Sequence, residues 1–193
     1  MSWKDDIRQL PSRHREQLTS LLGKRIRRLA HAAWEPLDEL LATPPYAQRH
    51  ISAEQMFSCA NGPAMVEIDE APPLGVGWDD PLQSLTIDSP DEYDDDAIWI
   101  EATDVKWSEP RFAAMIGRAI DAVRLIQRTV VFADNPKLFE RPREAGLIFT
   151  LDDGAELLFA HNLLDKPNDF AVLTGAELPA TGWSEIWRVS ASG

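Results

Sequence analysis

One six-residue motif that occurs twice constrains this chain more than anything else in it. Leu21-Leu22-Gly23-Lys24-Arg25-Ile26 returns as Met115-Ile116-Gly117-Arg118-Ala119-Ile120, with apolar, apolar, Gly, basic and Ile matching at a spacing of 94. Glycine straight after an apolar helix end is a stop signal, because it accepts the left-handed backbone that closes a helix. Each motif leads into a stretch that reads as strand, turn, strand. The repeat predicts two similar halves sharing one core.

The second copy carries the clearer signals. Gly146 to Leu151 and Ala155 to Ala160 are apolar runs joined by Asp152-Asp153-Gly154, a strong hairpin signal. In the first copy Ala64 to Glu70 leads through Ala71-Pro72-Pro73 to Leu74-Gly75-Val76-Gly77-Trp78, so its turn lacks the glycine and should be looser. A third strand closes each copy, over residues 84–87 and 170–173. Helical lead-ins are predicted over Pro11 to Leu22, with Ser12 as N-cap, and over Glu109 to Ile116, with Pro110 in the first turn. Residues 34–42 read as another short helix, ended by Pro44-Pro45. Between the copies lie a loop over 89–97 and strand-like segments over 98–102 and 104–107, and residues 182–189 form a last strand. The expected class is α+β: a mainly antiparallel sheet with flanking helices, and two copies of a helix-strand-hairpin module. The expected organisation is a single domain over 1–193, with repeat copies at 11–88 and 109–175 joined by the acidic loop and strands of 89–108.

Charge is distributed unevenly over this frame. Residues 51–109 hold fifteen Asp or Glu against Lys106 alone, a net −14, whereas the flanks sum to +3 and −2. Such a local imbalance speaks to partners and association rates. It argues against nucleic acid, which needs clustered Lys and Arg. The one basic run, Lys24-Arg25-Ile26-Arg27-Arg28, reads as a solvated face. No apolar stretch approaches the ~20 residues that span a bilayer, so no membrane partner is expected. Residues 1–6 lack the apolar run of a signal peptide, which points to the cytoplasm. Cys59 is the only cysteine and sits among apolar neighbours, so it reads as a buried structural thiol.

Catalytic signatures are missing. The chain has no Gly-x-Ser-x-Gly elbow, Walker loop, Gly-x-Gly-x-x-Gly or His-Glu-x-x-His. Gly75-Val76-Gly77 resembles a piece of the dinucleotide fingerprint, but Trp78-Asp79-Asp80 follows where a glycine and a helix are needed. His14, His31, His50 and His161 are scattered. Of these only His161 lies near carboxylates, so a hydrolase or metal-dependent enzyme using His161, Asp165 and Asp169 is one alternative reading. A turn built by Asp165 and Asn168 is the plainer account. Asp94-Asp95-Asp96 lacks the alternation and the glycine of a calcium loop. No cofactor, metal site or catalytic residue is predicted.

The acidic loop and its aromatic neighbours remain. Asp88, Asp91, Glu92, Tyr93, Asp94, Asp95, Asp96, Trp99 and Glu101 form the candidate partner-binding surface, because aromatic rings anchor an interface while charge speeds encounter. A solvated linker is its rival. The chain also resembles the immunity proteins (antitoxins) of bacterial polymorphic-toxin and secretion-delivered effector systems, through Glu144 to Gly154, His161-Asn162-Leu163-Leu164-Asp165 and Asp169 to Leu173. That resemblance implies a non-catalytic inhibitor that binds a cognate toxin domain and occludes its active site. A basic toxin acting in the cytosol would suit the −14 segment. An interaction adaptor with another partner shares the same surface.

Overall fold

A computed structural model describes residues 7–90, 93, 96–129, 141–164 and 166–191. In chain order these form α1 (Arg15–Thr19), β1 (Ile26–Ala33), α2 (Leu37–Ala42), α3 (Pro44–Ala47), α4 (Met56–Cys59), β2 (Ala64–Ile68), β3 (Leu74–Asp79), β4 (Ser84–Asp88) and β5 (Ile98–Glu101). They continue with α5 (Pro110–Ala113), β6 (Ile120–Arg128), β7 (Glu144–Leu151), β8 (Glu156–His161), β9 (Phe170–Thr174) and β10 (Trp183–Ser190). The class is α+β: two antiparallel five-stranded sheets and a few short helices. The sheet orders are β4-β3-β2-β1-β5 and β9-β8-β7-β6-β10, the same path walked twice.

The twice-occurring motif lies where the two halves touch. Gly23 N–H donates to Ile120 O at 2.8 Å and Gly117 N–H to Ile26 O at 2.7 Å. Ile26 N–H donates to Arg118 O at 3.0 Å and Ile120 N–H to Lys24 O at 2.9 Å. Exchanging the two copies converts each bond of a pair into the other, so a local two-fold axis runs through the Arg25–Ala119 bridge. Both glycines have positive φ, +77° and +83°, a region closed to most side chains.

The hairpins match bond for bond as well. Asp69 N–H donates to Arg25 O and Asp152 N–H to Ala119 O, each at 2.9 Å. The turn closes tightly in the second copy, Gly154 N–H to Leu151 O at 2.9 Å, and loosely in the first, Ala71 N–H to Ile68 O at 3.3 Å. Without a glycine, Glu70 takes the positive φ of +54°.

Alternation along the strands turns one face of each sheet into a common core. Leu29, Val66, Val76 and Leu85 from the first sheet meet Val123, Phe149, Phe159 and Phe170 from the second. The Trp78 ring stacks on Phe170 across the two sheets, with centroids 5.3 Å apart. β7 reads as a nearly unbroken apolar run because both its faces are covered, Phe149 in the common core and Ile148 in a smaller cluster outside. Among the described residues, no helix is long and apolar enough to cross a membrane.

Three sequence expectations need correction. The predicted helix over 11–22 breaks into a 3₁₀ turn (Pro11–Arg13) and α1, and it is His14, not Ser12, that precedes α1. The Ser12 amide donates instead to the buried carboxylate of Glu144 at 2.8 Å. Asp104 to Trp107 is a turn rather than a strand, its amides at 106 and 107 tied to Asp104 Oδ1 at 2.9 and 3.2 Å. The strand at 98–101 is no connector between halves: β5 pairs with β1, Ala32 opposite Trp99. The acidic loop therefore joins β4 to β5 inside the first sheet.

Candidate functional site

The site lies on the outer face of the first sheet. Leu29 and Ala33 of β1 point into the common core, so Ala30 and Ala32 point outward. The ladder sets Met65 beside Ala30 and Gly75 beside Met65, with Asp88 next to Gly75 and Thr86 next to Gly77. This strip of small residues leaves a hollow, and Tyr93 lies in it. A Cβ at Gly75 would come within 2.9 Å of Tyr93 Cζ, so the ring occupies the space that a side chain would take. The ring of Trp99 from β5 flanks Tyr93 at 6.0 Å.

Beside Tyr93 the hollow deepens into a cavity of about 270 Å³ lined by Trp34, Pro63, Gly77, Trp78, Asp88 and Tyr93. Trp34 follows the end of β1 and is 44% exposed, forming the outer lip. Its amide donates to Asn61 Oδ1 at 3.0 Å, which ties the lip to the segment before β2. Thr86 Oγ1 donates to Asp88 Oδ2 at 2.8 Å and fixes the direction of that carboxylate. A Cβ on Gly77 would stand 3.1 Å from both Asp88 Oδ2 and Thr86 Oγ1, so glycine keeps the carboxylate corner open.

The predicted partner-binding residues divide here. Asp88 and Tyr93 line the cavity, Trp99 supports Tyr93, and Asp96 is exposed. Glu101 faces the same side but is engaged by Arg28, whose Nε donates to Oε1 at 2.9 Å while Nη1 reaches Glu67 at 2.9 Å. Those two carboxylates raise the Arg28 pKa above its ordinary value, the Glu101 hydrogen bond most of all. Asp91, Glu92, Asp94 and Asp95 lie outside the described residues. Sequence reasoning missed Trp34, Pro63, Gly77 and Trp78. The available signal was Gly75-Val76-Gly77, where two glycines two apart on a strand clear one face of a sheet.

The alternative constellation is not brought to a surface. His161 has no exposure and points inward beside Phe170, its partner across β8 and β9. Burial first, and then the charge of Arg128, lower its pKa to about 4. The Asp169 carbonyl accepts from the Asn162 amide at 2.7 Å, and Asp165 is outside the described residues. No group of three His, Cys, Asp or Glu among the described residues could hold a metal ion.

His31 and Cys59 serve the core. The His31 ring lies between Phe57 O and Gly62 O, and burial pushes its pKa down to about 4 although both carbonyls favour a proton. Burial raises the Cys59 thiol to about 11, so it is a poor nucleophile at neutral pH. No family model matches this chain, and neither does any curated protein or solved structure.

Proposed function

We propose that this is a non-catalytic binding protein for a basic protein partner, and that it docks through the outer face of its first sheet. The observation that carries the reading is the aromatic cavity with Asp88 at its corner, set where the chain's acidic peak leaves β4. Aromatic walls supply a buried anchor, and the surrounding −14 segment supplies long-range attraction. The resemblance to immunity proteins gives the biology that fits best: neutralisation of a cognate, cytosol-acting bacterial toxin by occlusion. The burial of His161 speaks for this reading over a hydrolase.

The test is association kinetics with the basic C-terminal domain of any toxin-like protein encoded beside this chain. Replacing Asp91, Glu92, Asp94, Asp95 and Asp96 with their amides should slow association about tenfold or more at low salt and flatten its salt dependence. An unchanged on-rate would remove the loop from the interface.

A further inference from the structure

The cavity has a chemistry narrower than general acidity. Its aromatic walls are the rings of Trp34 and Tyr93, since Trp78, whose ring stacks on Phe170 in the core, sits at its floor beside Gly77. Its corner is one carboxylate, and among the described residues no Lys or Arg lines it. Aromatic faces attract a cation that lies within ~6 Å of the ring centre. A carboxylate held in one direction matches the two parallel N–H groups of a guanidinium, and a guanidinium also stacks flat on an indole. The volume, about 270 Å³, is small for a cofactor site, where ~300–1,000 Å³ is usual. One long side chain suits it better.

We infer that this cavity is a socket for an arginine side chain presented by the basic partner. The inference rests on the binding reading above, and it names the anchor that the reading lacks. The aliphatic stem lies along Pro63, the guanidinium plane meets the Trp34 and Tyr93 rings, and its N–H fork meets Asp88. Gly77 is the residue that leaves room for that fork, since a Cβ there would stand against the carboxylate.

The isolated protein suffices for the test. Titration with N-acetyl-arginine amide is followed through the indole ¹H–¹⁵N signals of Trp34, in the wall, and Trp99, which flanks Tyr93, assigned by single Trp→Phe variants. The neutral isostere N-acetyl-citrulline amide, N-acetyl-lysine amide and tetramethylammonium are titrated in parallel. The arginine probe should shift both indoles saturably, and citrulline should leave them in place. Asp88→Asn and Trp34→Ala should each weaken the arginine probe about tenfold, the size of one desolvated cation–π or charged hydrogen-bond contact. Glu54→Gln, an equal charge change at an exposed position away from the cavity, should stay within about twofold. Thermal unfolding of each variant confirms that it is folded, and Trp34→Phe, which keeps an aromatic wall, should retain most of the binding.

Equal loss in Glu54→Gln and Asp88→Asn would reduce the effect to a general field and overturn the socket. Equal or tighter binding of the lysine probe or of tetramethylammonium would overturn the choice of arginine. Absence of indole shifts with arginine would overturn the socket while leaving the loop kinetics to judge the docking reading separately.

Discussion

Replacing Gly75 with alanine tests whether the first sheet's outer face is organised by the Tyr93 ring. The added methyl would lie 2.9 Å from Tyr93 Cζ and 2.8 Å from the carbonyl oxygen of Asp88, both closer than carbon atoms tolerate. The two conflicts differ in kind. Asp88 is Gly75's ladder partner and can move only with β4, whereas the Tyr93 ring can swing out of the hollow. Overpacking of this sort costs about 1–3 kcal/mol. For a chain of this size that corresponds to a Tm loss of roughly 2–12 °C. A double-mutant cycle separates the two parts. In a Tyr93→Ala background the ring conflict is gone, so Gly75→Ala should cost less there, with a coupling on the order of 1 kcal/mol. Urea unfolding followed by circular dichroism reads all four corners of the cycle. Identical costs in both backgrounds would show that the ring does not lie against Gly75, and the cavity wall built on Tyr93 would fall with it.

Two further outcomes follow from the core and the axis. Gly23→Ala and Gly117→Ala should destabilise by the same amount, about 1–2 kcal/mol, because each glycine has positive φ with nothing within 4 Å of the added methyl, leaving only the left-handed backbone penalty. Unequal urea midpoints would mean that the two motifs are not equivalent in the fold. Acid should weaken the protein through its buried imidazoles. The unfolded chain protonates His161 near pH 6.5 but the folded chain only near pH 4, so stability is full above 6.5 and falls as pH drops toward 4. Within that window His161 contributes up to about 1.4 kcal/mol per pH unit. His161→Gln should flatten the fall by that share between urea titrations at pH 7 and pH 5. Comparing the two proteins cancels the carboxylates, including buried Glu144, whose raised pKa acts in the opposite direction. Parallel loss in both proteins would clear His161 of the effect.

The frame was readable because its signals are local. Gly after an apolar helix end, Asp-Gly between apolar runs and the length of each run all depend on neighbouring residues, and these gave the α+β class and most strands. The helix over 11–22 misled because Pro11 and Ser12 are drawn to a distant partner: Ser12 donates to Glu144, 132 residues away, which no local pattern records. Asp104 to Trp107 misled because alternation of polar and apolar residues resembles a strand, while the Asp104 carboxylate closes it into a turn. The candidate site was half readable for the same reason. Asp88, Tyr93 and Trp99 lie within the acidic stretch and could be named together. Trp34 and Trp78 join them only because β1 and β3 flank β2 in the sheet, a matter of register rather than spacing.

That difference between frame and surface also bears on where function resides. A shift of 94 residues carries Ala32 onto Ile126. In the second sheet the outer face is filled by Ile126, Ile148, Leu158 and Leu173 and covered by Leu163, Leu164, Leu178 and Trp183. The equivalent face of the first sheet carries Ala30, Ala32, Gly75 and Gly77, covered by Tyr93 and left open beside it. Stability alone favours the filled version, since each glycine in a strand costs roughly 0.5–1 kcal/mol against alanine and buries nothing. The same frame thus supports one face packed for cohesion and another hollowed out, lined with Trp34, Tyr93 and the Asp88 carboxylate. On the docking reading proposed above, the open corner beside Tyr93 is the part of this face left for a partner, and the Asp88 carboxylate restricts what that partner can present.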